Sequence, residues 1–286
     1  MKTSTEIHSI ASVVGEKKAI ELIAKAGFDA YDLSLFDMAI YDWGAGKVKD
    51  IDHPLRGKDY LKFVREIKKV ADDCGIHCNQ SHAPFPSESP EVVSYYKKAI
   101  ECTAEVGGKI CVIHPFTKGT PEENAEMYGK ILPFAKEMGV KIATENMYRW
   151  PQGSPTSIPG ACALPDDFLA HMKAVDDENF VACLDIGHAE MQGGGGGAVN
   201  IINKLGNHLQ ALHIHDVDGI HDNHQLPFTL TIQYEGIMKA LKENGYNGYL
   251  TLEASTYMSA YKKENAFDGV LKMAETAKKL SDMMEG

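Results

Sequence analysis

A single-domain (β/α)8 TIM barrel spanning residues 1–286 is the fold this sequence predicts, and three observations carry it. Short apolar runs alternate with amphipathic stretches from end to end, the alternation repeats eight times, and each repeat averages about 36 residues. Strictly alternating strands and helices favour a parallel sheet with right-handed crossovers, and eight such units close naturally into a barrel of about 250 residues. A hydrophobic content of 44% is enough for one large core. The rival, a doubly wound open sheet, lacks its glycine-rich fingerprint, since Ser9-Ile10-Ala11-Ser12-Val13-Val14-Gly15 contains no G-x-G-x-x-G.

Taken in order, a strand-like run near 6–10 precedes a helix pattern over 15–26, closed by Gly27. A second run at 29–35 leads to a helix at 57–74 before Gly75, and a third at 76–81 to a helix at 89–107 that starts at Pro90 and stops at Gly107. Runs at 109–113 and 140–144 flank a helix at 121–138 that opens on Pro121 and ends before Gly139. The run at 180–184 follows a helix at 165–175, opened by Pro165, and precedes one at 197–206. Last come a run at 209–214, a helix at 233–244 before Gly245, a run at 248–252 and a helix at 263–283. Proline inside helix starts and glycine past helix ends is the asymmetry that capping physics prefers.

Two connections stand out. The stretch from Met147 to Leu164 is long and rich in proline and glycine, and long loops after barrel strands serve as lids or substrate walls. The Gly193–Gly197 run has no Lys-Ser/Thr behind it, which predicts a flexible loop rather than a phosphate cradle.

Charge and composition narrow the function. Twenty-nine Lys and Arg against 40 Asp and Glu give a net charge of −11, and no basic cluster offsets it, so nucleic acid is not an expected partner. The six cysteines are scattered without a Cys-x-x-Cys pair, which argues against structural zinc and a disulfide framework. Met1 to Glu6 lacks the apolar centre of a signal peptide, and no stretch approaches the roughly 18 uncharged apolar residues that span a bilayer. A cytoplasmic protein with no membrane partner is the expectation.

The chemistry is written at the strand ends. His82, His114, Glu145, Asp185, His213 and Glu253 each close an apolar run, 28 to 40 residues apart, which is the spacing of whole βα units. His188 follows Asp185 by one turn, and Asp222 and His224 lie in the loop behind His213. In a barrel such residues converge on one mouth. Carboxylates gathered there repel unless protonated or bridged by a cation, and Asp, Glu and His suit Mn2+, Co2+, Mg2+ or Zn2+.

These motifs resemble those of the xylose-isomerase-like barrel superfamily, which holds sugar isomerases and epimerases, inosose dehydratases and the endonuclease IV group. Thr144-Glu145-Asn146, Leu184-Asp185-Ile186-Gly187-His188, His213-Ile214-His215-Asp216 and Leu252-Glu253 look like the metal-ligand motifs of the sugar epimerases. The resemblance implies one divalent ion held by Glu145, Asp185, His213 and Glu253, no organic cofactor, and a small sugar or polyol substrate. It implies Glu145 and Glu253 as the catalytic base and acid of a proton transfer through an enediolate, and a homo-oligomer as an assembly seen among relatives. His188, His82, His114, Asp222 and His224 are then substrate-binding residues. By position, Trp150 also meets substrate, as an apolar wall with Phe116, and Asp32 accepts a hydroxyl; His8, near strand one, has no neighbour to support a role.

The same superfamily supplies the alternatives. His82, His114, His188, Asp222 and His224 also match the additional ligands of the three-metal endonuclease IV group, which implies a second metal site and phosphodiester hydrolysis. An inosose-type dehydratase and a non-catalytic sugar-binding barrel are the other readings. No arginine follows His213 as in some ketose epimerases, so isomerisation and epimerisation both stay open, on unphosphorylated sugars.

Overall fold

In the computed structural model, which describes residues 1–285, the apolar runs become parallel strands of one sheet. They are β1 (Thr3–Glu6), β2 (Ala30–Ser34), β3 (His77–His82), β4 (Ile110–Val112), β5 (Lys141–Glu145), β6 (Phe180–Asp185), β7 (Leu209–His213) and β8 (Leu250–Leu252). From β1 to β7 each pairs with its neighbour in sequence, and β1 also pairs with β8 through Thr3↔Leu250, Ser4↔Thr251 and Thr5↔Leu252. The gap between β7 and β8 is closed just past the strand ends, where Ile214 N donates to Thr251 O at 2.9 Å and Glu253 N to Ile214 O at 2.9 Å. The eight-unit barrel expected from the repeats is therefore the fold.

Register brings the functional tips level. Glu6 pairs with Asp32, Ser34 with His82, and Asp185 with His213, so the ends of these strands reach the same rim. Outside the barrel, helices cover the sheet with one apolar face. Helix Glu16–Ala26 buries Ala19, Ile20, Leu22 and Ile23 and ends on Gly27 in the left-handed region at φ 98°. Full burial of a Leu or Ile stabilises by about 1.5–3 kcal/mol, so each such face anchors its helix to the sheet. Helix Pro121–Gly129 starts with a capping box, Glu123 N donating to Thr120 Oγ1 at 3.2 Å and Thr120 N to Glu123 Oε2 at 2.8 Å.

Several boundaries differ from expectation for clear reasons. The first strand is Thr3–Glu6, ahead of the expected run, and His8–Val14 is a short helix. Thr-Ser-Thr-Glu is a strand with no apolar pattern, while Ile7, Ile10, Val13 and Val14 recur at helical spacing. The helix expected over 121–138 breaks before Leu132, because Pro133 lacks the N–H that would continue it. The helix expected over 89–107 likewise divides into Pro90–Val93 and Tyr96–Glu105. The Gly193–Gly197 run is packed rather than free. A Cβ at Gly195 would lie 2.5 Å from the Ala189 carbonyl carbon, and one at Gly196 would lie 2.7 Å from Ala163 O.

Two small antiparallel ribbons rise from the loops, Tyr41–Asp42 with Lys47–Val48 after β2 and Tyr148–Arg149 with Ile158–Pro159 after β5. The second occupies the long loop expected to form a lid or wall; the first has no sequence signal beyond its Asp-Trp-Gly turn. Among the described residues all six cysteines are free, and no helix is long and apolar enough to cross a membrane.

Candidate active site

The rim gathers two linked clusters of acids and imidazoles. The inner one is built by β5, β6, β7 and β8, whose tips deliver Glu145, Asp185, His213 and Glu253 with one donor atom from each within 4.8 Å of the others. His213 Nδ1 is 3.2 Å from Glu145 Oε2 and 3.5 Å from Glu253 Oε2. His213 is turned this way by Asp32, whose Oδ2 lies 3.3 Å from Nε2 and also accepts from Gln80 Nε2 at 2.9 Å. Asp32, expected to meet substrate, is fully buried and serves His213 instead. On the other side His82 and His114 place Nε2 at 3.5 and 3.3 Å from Glu145 Oε2 and 3.0 Å from each other. Tautomers follow from the bonds, His82 Nδ1–H donating to Ala83 O at 2.8 Å.

A cation fits this inner set on one observation above others. Glu145 Oε2 and His213 Nδ1 are buried, face each other, and have no hydrogen-bond partner. An orphaned buried carboxylate oxygen costs about 1–3 kcal/mol or more, which a cation would remove. Ligand atoms about 2.0–2.2 Å from a common ion sit roughly 3–3.5 Å apart, the separation that His213 keeps from the two glutamates.

Asp185 has two roles. Its Oδ1 accepts from His188 N at 2.7 Å, capping helix Ile186–Glu190, and its carboxylate also lies 3.0 Å from His215 Nε2. His215 was not singled out by sequence, yet it sits two residues past His213 on the same side and carries the inner cluster into the outer one. Its ring stacks on His224 at 3.9 Å between centroids and 16° between planes. Gly187 makes room for that ring, since an added Cβ would lie 2.5 Å from His215 Nδ1 and closer still to two other ring atoms.

The outer cluster centres on Asp222. Its Oδ2 accepts from Tyr148 Oη at 3.3 Å, His188 Nε2 at 3.3 Å and His224 Nε2 at 3.1 Å. The far nitrogens are also committed, His188 Nδ1 donating to Asn146 O at 2.9 Å and His224 Nδ1 to Glu253 O at 2.8 Å.

Electrostatics follow from this packing. Burial by itself would push the Glu145 carboxyl up, but His213, His114 and His82 together hold it well below the usual carboxylate range. Burial would likewise discharge His188, yet Asp185 and Asp222 lift it well above its ordinary value. His224 is raised to about 10, Asp222 outweighing burial. His114 goes the other way, burial prevailing over Glu145. Glu6, absent from the expected set, has a carboxyl raised by burial despite bonds from Ser9.

These groups open into a cavity of about 1000 Å³. Glu145, Glu253, His82, His114, His188, Asp222, His224 and Trp150 line it, as do Glu6 and His8. Asp185 and His213 lie behind that surface, fully buried. Phe116, expected as a wall, packs against the core; Phe36 and Phe85 form the apolar wall instead, stacked edge-on at 5.3 Å.

Residues 20–280 match a family described as xylose isomerase-like TIM barrel. An uncharacterized protein of Methanocaldococcus jannaschii is 25% identical over 265 residues, 86% of this chain and 81% of that one. Fructoselysine 3-epimerase of Escherichia coli O157:H7 is 26% identical over 136 residues, 47% of this chain and 46% of its own. Among solved structures, a D-tagatose 3-epimerase-like protein superposes with a TM-score of 0.72 at 22% identity, covering 100% of this chain and 98% of its own. The IOLI protein, solved with a bound zinc atom, gives 0.70 at 18% identity, again covering 100% and 98%. At these identities the structural likeness speaks for the fold.

Proposed function

Because this chain belongs to the xylose isomerase-like TIM barrel family, we propose that it is a divalent-metal-dependent sugar isomerase or epimerase whose barrel is one catalytic domain. The observation that carries the reading is the inner cluster. Two glutamates, an aspartate and a histidine from four strand tips converge around two unpartnered buried donor atoms, beside a cavity that Glu145 and Glu253 both reach. Glu145, Asp185, His213 and Glu253 would hold the cation. When bound, it would supply Lewis-acid polarisation of a carbonyl and the adjacent hydroxyl.

The chain's own residues do the rest. One glutamate takes the proton from the carbon beside the carbonyl, leaving an enediolate. The other returns a proton to the opposite face for an epimer, or a single carboxylate returns it to the neighbouring carbon for the aldose–ketose isomer. His188 and His224, charged by their carboxylate neighbours, hold Asp222 in the cavity wall, and Phe36 and Phe85 keep water from one side of the sugar. General acid–base groups contribute about 10²–10⁴-fold. Glu253→Gln is therefore expected to slow deuterium uptake from D2O into a ketose by at least a hundredfold; undiminished uptake would sink the mechanism.

A second reading has one observation behind it. His82, His114 and Glu145 form a further metal-capable group, and His188, His215, Asp222 and His224 another, the arrangement a three-metal phosphodiesterase needs. Against it, the net charge is −11 and the cavity rim offers a duplex only Lys118 and Arg149 as cations. Incision of an abasic duplex, with no deuterium uptake by any sugar, would favour that reading.

A further inference from the structure

The cavity is too large for the ligand that the inner clusters alone would hold. At about 1000 Å³ it has the volume of a site for a drug-sized molecule. A ketohexose of twelve non-hydrogen atoms displaces roughly 180 Å³, about six waters at ~30 Å³ each. The buried clusters around Glu145 and Asp222 occupy the inner end, and the exposed outer end has different chemistry.

There the two ribbons face the opening, each carrying a tryptophan, and these are the only two in the chain. Trp43 is 69% exposed and Trp150 41% exposed, although both line the cavity. Their planes are braced by neighbours. Trp43 packs edge-on to Tyr41 at 5.1 Å, while Trp150 lies parallel to His221 at 5.7 Å and donates its Nε1–H to Ser154 O at 3.2 Å. An exposed indole costs solubility, and two held at one mouth have a use if a ligand covers them. Beside them Arg149 is fixed by a bond from Nε to Pro159 O at 2.8 Å, which leaves the rest of its guanidinium to donate. Broad apolar faces bordered by a fixed donor suit a pyranose ring, which presents C–H groups on its face and hydroxyls on its edge.

We infer that the substrate is a two-ring keto-sugar, a glycoside or disaccharide, whose keto ring enters the inner end while its second ring lies between Trp43 and Trp150. The inference rests on the sugar isomerase or epimerase reading for the chemistry at the inner end; the size of ligand that the outer end accepts is what it adds.

The two tryptophans provide the test. Protein loaded with Mn2+ is titrated with D-fructose, isomaltulose and lactulose while indole fluorescence is followed, and the same mixtures in D2O are analysed by mass spectrometry for deuterium uptake. At least one disaccharide is expected to bind tenfold or more tightly than fructose. Trp43→Ala, at an exposed position, is expected to cut that preference to threefold or less; Trp150→Ala is the second variant if circular dichroism shows the first misfolded. Equal binding of all three sugars, with deuterium uptake, overturns the two-ring inference and leaves the isomerase reading intact. Preferential, tryptophan-dependent disaccharide binding with no uptake in any sugar supports the two-ring site and overturns the proton-transfer chemistry. Neither preference nor uptake overturns both.

Discussion

Gly187→Ala isolates one contact and has a calculable cost. Gly187 lies in helix Ile186–Glu190, where alanine would ordinarily stabilise by about 0.5–1 kcal/mol. Here the new methyl would meet three atoms of the His215 ring, with Nδ1 at 2.5 Å, and His215 is fully buried with no room to retreat. Overpacking of this kind costs about 1–3 kcal/mol, and pulling His215 from the Asp185 carboxylate at 3.0 Å forfeits a charged hydrogen bond worth about 1.5–3 kcal/mol. A net loss of roughly 3 kcal/mol lowers Tm by about 6–12 °C at the ~2–4 °C per kcal/mol expected for a chain near this size. Scanning calorimetry on the metal-free protein reads it. The sign should reverse in a His215→Ala background, where the ring is gone and only the helix preference of about 0.5–1 kcal/mol remains, so a double-mutant cycle gives a coupling of roughly 4 kcal/mol. If Gly187→Ala melts within a degree of wild type, or costs as much without His215, the ring does not fill that space.

Three further outcomes follow from the same contacts. Asp32→Asn removes the carboxylate that orients His213 and is expected to weaken cation binding about 10–100-fold in a chelator competition, without loss of fold. Metal at a hundredfold excess over its Kd should stabilise the protein by about 2.7 kcal/mol, visible as a rise in Tm that EDTA reverses; His213→Ala should abolish that rise. Beyond the two clusters, His8 is raised above its ordinary 6.5, chiefly by the Asp37 carboxylate 3.7 Å away, with burial opposing, and Asp37 is lowered below 3.8, chiefly by His8. The histidine's contribution is complete below pH 6.5 and lost as pH rises through its folded value, while the aspartate's is present above pH 3.8 and lost on acidification. His53 and Glu16 border the same pair. The Tm gap between wild type and Asp37→Asn should therefore be widest near pH 5–6 and shrink by pH 9; a gap that is flat with pH would refute the pairing.

Strand tips were legible because a barrel repeats them. Once Glu145, Asp185, His213 and Glu253 sit at the ends of apolar runs one βα unit apart, closure alone brings them together. What was illegible has no period. β1 is polar and fully buried, so neither it nor Glu6 at its tip gives a hydrophobic signal. His215 follows His213 with strand alternation, and spacing cannot say which imidazole faces which cluster. Asp32 and Phe116 were expected at the substrate because they end or follow strands, but side-chain direction sends one beneath His213 and the other against the core. Phe36, Phe85 and Trp43 come from loops, where only the folded chain reveals a shared wall.

The two clusters meet the same electrostatic demand differently, and that difference bears on the choice between one metal and three. In the outer cluster Asp222 Oδ1 and His215 Nδ1 also lack hydrogen bonds, but Asp222 Oδ2 accepts from a phenol and two imidazoles whose other nitrogens also donate, so His188 and His224 balance its charge with their own protons. In the inner cluster three imidazoles surround Glu145, and yet its Oε2 and His213 Nδ1 stay unbonded 3.2 Å apart, because no proton between them has the geometry of a hydrogen bond. A cation can satisfy both atoms at once where a proton cannot, whereas a cation at Asp222 would first have to displace protons from His188 and His224. Against burial, Cys183 and the two glutamates raise His213 as well, so an inner ion displaces one imidazole proton where an outer one displaces two; it should bind with the weaker pH dependence, and titration near neutral pH should fill the inner seat first. His188 and His224 then stay charged and bonded to Asp222, which they hold in the cavity wall.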